Sequence, residues 1–281
     1  MEATTLQLQT GTFVAANGMN IFYRNWKPAD TPKALVIIAH GFNSHSGYYQ
    51  WTAEQLTDQD FEVYAIDFPG RGNSDGERYY IADYNEFVED LDKLINIAQA
   101  AHPGLKIFLL GHSAGGVLSS VYSLKYQQKL SGFICESFAF QVPAPDFAIA
   151  ALKGLSHVFP HAHVVKLKNE DFSRNKEVVD FMNNDPLIAH EVQPTKTMQQ
   201  LAIADEKLKE EMPTIKLPLL ILHGTLDKAT KPSGSQYFYD NASSTDKTLK
   251  FYEGHYHDLL SDLDKEVVMG DILSWLNSRT N

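Results

Sequence analysis

The stretch Lys106-Ile107-Phe108-Leu109-Leu110-Gly111-His112-Ser113-Ala114-Gly115-Gly116-Val117-Leu118-Ser119-Ser120-Val121-Tyr122 decides the fold. An apolar run ends in Gly-x-Ser-x-Gly, and a helix-like run follows. Strand, sharp turn and helix around that motif form a nucleophile elbow, a strained turn that holds the serine Oγ clear of the backbone. The flanking glycines are required because a Cβ there crowds the neighbouring strand and helix. Ser113 is therefore the candidate nucleophile.

The pattern extends in both directions. Residues 12–15 and 19–26 flank Asn17-Gly18 and read as a hairpin with a two-residue primed turn. Ala34-Leu35-Val36-Ile37-Ile38-Ala39 is continuously apolar, as a strand covered on both faces should be. Residues 51–59 read as helix and 61–66 as strand. The latter ends in the loop Asp67-Phe68-Pro69-Gly70-Arg71-Gly72-Asn73-Ser74. Tyr84, Phe87, Val88, Leu91, Leu94, Ile95 and Ala98 recur at helical spacing. Residues 132–136 form a further strand. Strand and helix then stop alternating until Leu217-Pro218-Leu219-Leu220-Ile221-Leu222. The intervening stretch reads as helix and loop. This divides the chain into a core, residues 1–137 and 213–281, and an inserted cap, residues 138–212. A helix over 233–239, a strand over 248–252 and a last helix over 259–276 complete the core. Parallel strands joined by helices imply a doubly wound α/β sheet with its site at the strands' carboxyl ends.

A serine hydroxyl needs a base, and the base needs a buried acid to orient it. After such an elbow the chain order is Ser, acid, His, each at a strand's carboxyl end. Asp227 follows the 217–222 strand and is the candidate acid; Glu136, also at a strand end, competes. His255 and His257 both follow the 248–252 strand, and spacing alone leaves both open. The candidate oxyanion donors are the amides of Ala114, after the nucleophile, and Phe42, after the 34–39 strand. His40 braces that loop, and His40 and His112 are candidate substrate contacts. His223 reads as a supporting histidine. Arg71 and Arg174 read as ion-pair partners. His157, His161 and His163 lack the acidic or Cys ligands a metal site needs. Phe147, Ile149, Leu152, Leu155, Val158 and Phe159 either pack within the cap, the default for any one of them, or line an acyl tunnel or face lipid.

These motifs together resemble the monoacylglycerol lipase branch of the α/β-hydrolases, over nearly the whole chain after residue 11. The resemblance rests on His40-Gly41 with His45-Ser46-Gly47, on Gly70-Arg71-Gly72-Asn73-Ser74-Asp75-Gly76, and on Gly111 to Gly116. It rests also on Ser173-Arg174-Asn175-Lys176, Asn184-Asp185-Pro186-Leu187 and Tyr252-Glu253-Gly254. It implies a sheet of about eight strands with a helical cap, no cofactor, and a mobile apolar cap that admits acyl chains and can touch membrane. It selects His257, three residues after the Tyr-Glu-Gly glycine. The implied reaction is hydrolysis of a fatty-acyl ester of a small polar alcohol. Two positions depart from the family's pattern: Ser44 stands for the usual Glu and Tyr48 for the usual Arg, near the glycerol-binding end. Other headgroups on the same machinery, as in a carboxylesterase, lysophospholipase or thioesterase, are the first alternative. A ligand-binding protein on a hydrolase scaffold is the second, and the retained Ser113, Asp227 and His257 speak against it. Serine at 113 speaks against chemistry with an aspartate nucleophile.

Composition sets the outer limits. A chain of 281 residues, 43% hydrophobic, can bury a large core. A net charge of −11 argues against a nucleic-acid partner. Cys135 is the one cysteine, so no intrachain disulfide forms. The first residues carry no secretory signal pattern and no apolar run is long enough to span a bilayer, so a cytoplasmic location is the expectation.

Overall fold

The computed structural model describes residues 7–143 and 146–280. The strands are β1 (Gln7–Val14), β2 (Asn20–Lys27), β3 (Ala34–Ala39), β4 (Phe61–Ile66), β5 (Lys106–His112), β6 (Gly132–Glu136), β7 (His163–Val165), β8 (Gln193–Pro194), β9 (Leu219–Gly224) and β10 (Lys247–Tyr252). The helices are α1 (Gln50–Thr57), α2 (Tyr84–Ala101), α3 (Ala114–Tyr126), α4 (Asp146–Ser156), α5 (Lys176–Asn184), α6 (Thr195–Glu211), α7 (Pro232–Asn241) and α8 (Lys265–Thr280).

Eight strands form one sheet in the order β1-β2-β4-β3-β5-β6-β9-β10, parallel from β4 to β10 and antiparallel at the β1 and β2 edge. The α/β-hydrolase architecture expected of the sequence is the one observed. The continuously apolar strands are buried on both faces, and their side chains alternate between two cores. In β3, Leu35, Ile37 and Ala39 join α2, α3 and α7 on one face, while Ala34, Val36 and Ile38 join α1 and α8 on the other. From β3 the chain moves outward to β4 and returns to β5 on β3's other side. That reversal opens a crevice at the carboxyl ends of β3 and β5, where ligands of open α/β sheets bind. Phe42 follows the first of these strands and Ser113 the second.

The described residues of 138–212 add no strand to this sheet. The expectation of helix and loop there misses two short strands, since β7 and β8 pair antiparallel. Three and two residues long, they are too short for side-chain periodicity to register. Helix α6 packs on α2 and α3 and carries Leu201, Ala204 and Leu208 into the core of that face.

Two other local expectations are corrected. The hairpin turn is not a two-residue primed turn. Ala15 N–H donates to Met19 O (2.8 Å) and Gly18 N–H to Ala15 O (3.1 Å), and of the turn residues described only Gly18 has positive φ, +87°. The primed turn needs two such residues; one glycine after a type I turn gives a three-residue loop. The last helix begins at Lys265, not at 259. Leu259 and Leu260 are buried at helical spacing, but the chain there is held by other contacts. Asp262 accepts from the backbone amides of Tyr256 (2.9 Å) and Arg174 (2.7 Å), and Asp264 sits at φ +61°. An L-residue in that region ends helical continuity. Among the described residues no helix is long and apolar enough to cross a membrane.

Candidate active site

Ser113 stands between β5 and α3 at φ +54° and ψ −120°, a region in which side chains other than glycine's are strained. Its neighbours make the strain tolerable. A Cβ on Gly115 would lie 2.2 Å from the Ala39 carbonyl oxygen. One on Gly111 would lie 2.6 Å from Ser119 Oγ. Ser113 N–H donates to Glu136 O (2.9 Å), tying the turn to β6.

Ser113 Oγ donates to His257 Nε2 (2.8 Å), and His257 Nδ1 donates to Asp227 Oδ2 (2.7 Å). Three residues far apart in the chain thus form one relay. His257 is fully buried, its ring edge-on to Phe172 at 4.9 Å. Asp227 accepts from the amides of Ala229 and Thr230 on Oδ1 (2.8 Å each) and from Thr230 Oγ1 on Oδ2 (2.7 Å). His223 Nε2 approaches the same Oδ2 at 3.0 Å, while Ser235 Oγ donates to its Nδ1 (2.7 Å). Burial works against the Asp227 carboxylate, but the charge and N–H groups of His257 and His223 outweigh it and hold its pKa well below the usual range. A carboxylate that stays ionised fixes the proton on Nδ1 and leaves Nε2 as an acceptor. His223 has the supporting place expected of it. Thr230 was missed; its only sequence signal is its place three residues after Asp227, where a hydroxyl reaches back as in a capping turn.

Phe42, Ser113, Ala114 and His257 line one cavity of about 110 Å³. Among the described residues neither the Phe42 nor the Ala114 amide donates a hydrogen bond within the protein. The remaining wall is mostly apolar and includes Val142, Leu152, Leu167, Phe172 and Met198; Gln193, Thr230 and Asp205 are its polar members, and Asp205 is the one carboxyl among them. Of the cap residues read as cap packing, tunnel wall or lipid-facing, Leu152 lines this cavity. Phe147, Leu155, Val158 and Phe159 are exposed, and the Ile149 side chain lies outside the described residues.

The other candidates fall elsewhere. The His40 ring does not line the cavity. Its Nδ1 meets Gly41 O (2.7 Å) and its Nε2 accepts from Phe68 N–H (3.2 Å), so it braces the loop that carries Phe42. Burial lowers its pKa to about 4, which keeps it neutral. His112 also stays out of the apolar cavity. It lies against His257 at 4.9 Å and 3.1 Å from Asp258 Oδ1, at an angle too oblique for a hydrogen bond. Burial opposes its charge, but the Glu136 and Asp258 carboxylates prevail and raise its pKa to about 9. Ser44, Tyr48, His112, Glu136 and Asp258 together line a small separate cavity, so the two departures from the family pattern meet there. Glu136 accepts from Leu260 N–H (3.3 Å) and has no hydrogen bond to His257, unlike Asp227. His255 turns its Nδ1 to Glu253 O (3.3 Å) and reaches neither Ser113 nor Asp227. Arg71 pairs with Glu191 (3.5 Å) and Arg174 with Asp262 (2.8 Å). His161 pairs with Glu77 (2.8 Å), and the cap histidines form no metal-capable group among the described residues.

Comparison with known proteins agrees with this geometry. The family model described as serine aminopeptidase, S33, matches residues 30–264. The chain is 36% identical to the monoglyceride lipase of Rattus norvegicus over 271 residues, 95% of this chain and 89% of that one. It is 32% identical to the monoacylglycerol lipase of Mycolicibacterium smegmatis over 271 residues, 95% and 96% respectively. Among solved structures it is similar to the Paleococcus ferrophilus monoacylglycerol lipase. The TM-score is 0.82 at 30% identity, covering 97% of this chain and 99% of that one.

Proposed function

Since this chain belongs to the monoacylglycerol lipase branch of the serine aminopeptidase S33 hydrolases, we propose that it cleaves fatty-acyl esters of small alcohols at Ser113, monoacylglycerol being the leading substrate. The observation that carries this reading is the continuous relay from Ser113 Oγ through His257 to Asp227 at the mouth of an apolar cavity.

Ser113 Oγ attacks the ester carbonyl carbon as its proton passes to His257 Nε2. Asp227 holds the imidazole and stabilises its charged form. The Phe42 and Ala114 amides bind the tetrahedral oxyanion; losing one such donor costs about 2.7–4 kcal/mol. The intermediate collapses, the ester C–O bond breaks, and the proton on Nε2 passes to the leaving alkoxide. Water then gives a proton to Nε2 and attacks the acyl-enzyme, which releases the acid and restores Ser113. Residues 138–212 serve in this reading as the cap over the cavity, and its exposed Phe147, Val158 and Phe159 dip transiently into a membrane from the cytoplasmic side.

Other headgroups remain the second reading, because Ser44 and Tyr48 alter the small cavity beside His112. The test has two parts. Wild type should hydrolyse 4-nitrophenyl esters and take a fluorophosphonate label, and Ser113→Ala should do neither. Equal hydrolysis by both proteins would remove Ser113 from the chemistry. A panel that varies headgroup and acyl length separately then separates monoacylglycerol from lysophospholipid and thioester.

A further inference from the structure

Helix α6 presents Leu201, Ala204, Asp205 and Leu208 at spacings of three and four, the pattern of a single buried face. Three of the four are core residues. Asp205 is the exception, and it lines the same cavity as Ser113, Phe42 and His257. Among the described residues it makes no hydrogen bond or ion pair, and its Oδ1 is closed off from solvent with no partner. Lys153 of α4, close by, is paired with Glu206 instead, and Lys209 lies over the Phe140 ring at 5.7 Å.

Asp205 is also a junction. A second cavity, of about 370 Å³, shares Val142, Ala202 and Asp205 with the first. Beside Phe140 and Ala150, its other walls carry polar and charged side chains: Gln141, Lys153, Glu206, Lys209 and Lys231. The cavity at the nucleophile is thus mostly apolar, and the one that meets it at Asp205 carries more charged side chains. A plain alkyl chain reaching that point would strip a carboxyl of water and offer nothing in return. A buried polar group left unpaired costs about 1–3 kcal/mol. A chain that carries a hydroxyl there supplies the missing partner.

We infer that Asp205 is a specificity-determining residue, and that the acyl group this site prefers carries a hydroxyl or comparable polar group where the chain reaches α6. The inference rests on the proposal that Ser113 is acylated with the acyl chain in this cavity. Burial pushes the Asp205 carboxyl well above its usual pKa, against the opposing pull of Lys209 and Lys153. A carboxyl accepts a hydrogen bond from a hydroxyl whether or not it is ionised.

The experiment compares kcat/KM for 4-nitrophenyl esters of plain acids and of their ω-hydroxy counterparts over a series of chain lengths. The proteins are the full-length wild type, Asp205→Leu and Asp205→Asn, each quantified by fluorophosphonate labelling so that misfolded protein is not counted. Wild type should favour the hydroxylated ester by about tenfold at one length and less on either side. Asp205→Leu should lose that preference and favour the plain chain, while Asp205→Asn, which keeps an acceptor, should retain most of it. A hydroxy-to-plain ratio unaltered by Asp205→Leu at every length would overturn the inference. A wild type that hydrolyses no ester and takes no label would instead overturn the function on which it rests.

Discussion

Asp227→Asn is nearly isosteric, yet it should almost abolish turnover. The reason lies in which atoms the carboxylate uses. Oδ1 accepts two backbone amides, from Ala229 and Thr230, at 2.8 Å each. In the asparagine only the carbonyl oxygen can sit there, because an NH2 group would face two N–H donors. The NH2 must then occupy the Oδ2 position, 2.7 Å from His257 Nδ1. It donates to Nδ1, the imidazole proton moves to Nε2, and Nε2 can no longer accept from Ser113. A histidine held in the wrong tautomer in such a triad lowers kcat by roughly 10⁴-fold, equivalent to about 5 kcal/mol of transition-state stabilisation. Steady-state hydrolysis of a 4-nitrophenyl ester near neutral pH reads the effect directly. Glu136→Gln, at the competing acid, should cost far less, since Glu136 does not bond to His257. Retention of activity within tenfold by Asp227→Asn would refute the tautomer argument. A loss as deep in Glu136→Gln would show that the orienting acid had been misassigned.

Gly115→Ala places a methyl 2.2 Å from the Ala39 carbonyl oxygen, a backbone atom that cannot swing away. It should destabilise the fold by about 1–3 kcal/mol or more and lower the thermal midpoint; an unchanged midpoint would show that the elbow tolerates a Cβ. His112 has its pKa raised to about 9, so its contribution to stability is full below its unfolded value of about 6.5 and fades as pH rises through about 9. Urea unfolding followed from pH 6 to pH 10 should show wild type losing stability across that window by on the order of 3 kcal/mol. His112→Gln should be flatter, and parallel curves for the two proteins would contradict the assignment. Phe147 and Phe159 are exposed on the cap at 78% and 58%. Replacing both with serine should reduce sedimentation with phosphatidylcholine vesicles in a salt-insensitive way, and unchanged sedimentation would remove these rings from the contact.

The long apolar strands were readable because a strand buried on both faces has no choice of residue type at any position. The elbow was readable for a related reason, since its glycines answer to atoms a few ångströms away. Chain order made Asp227 a candidate, as a strand end after the serine, but Glu136 met the same condition, and only the hydrogen bond to His257 separates the two. Readings failed where a segment answers to distant partners. Residues 259–264 have helical spacing but are pinned into a turn by the amides of Arg174 and Tyr256, which donate to Asp262. The hairpin failed on a finer point: one glycine, not two residues, takes positive φ.

By itself, the order of residues determined the layered α/β sheet, the serine in its strained turn, and a short set of candidate acids and histidines at the strand ends that follow it. Those are local properties, or consequences of chain order within a known kind of sheet. Folding in three dimensions decided the rest. It turned His257 toward Ser113 while His255, two residues away, faces its own loop. It sent His40 and His112 behind the walls rather than into the cavity. It set the Asp205 carboxyl into a mostly apolar wall. Side-chain periodicity reports how often a position is buried, but what a buried atom faces depends on segments that approach from elsewhere in the chain.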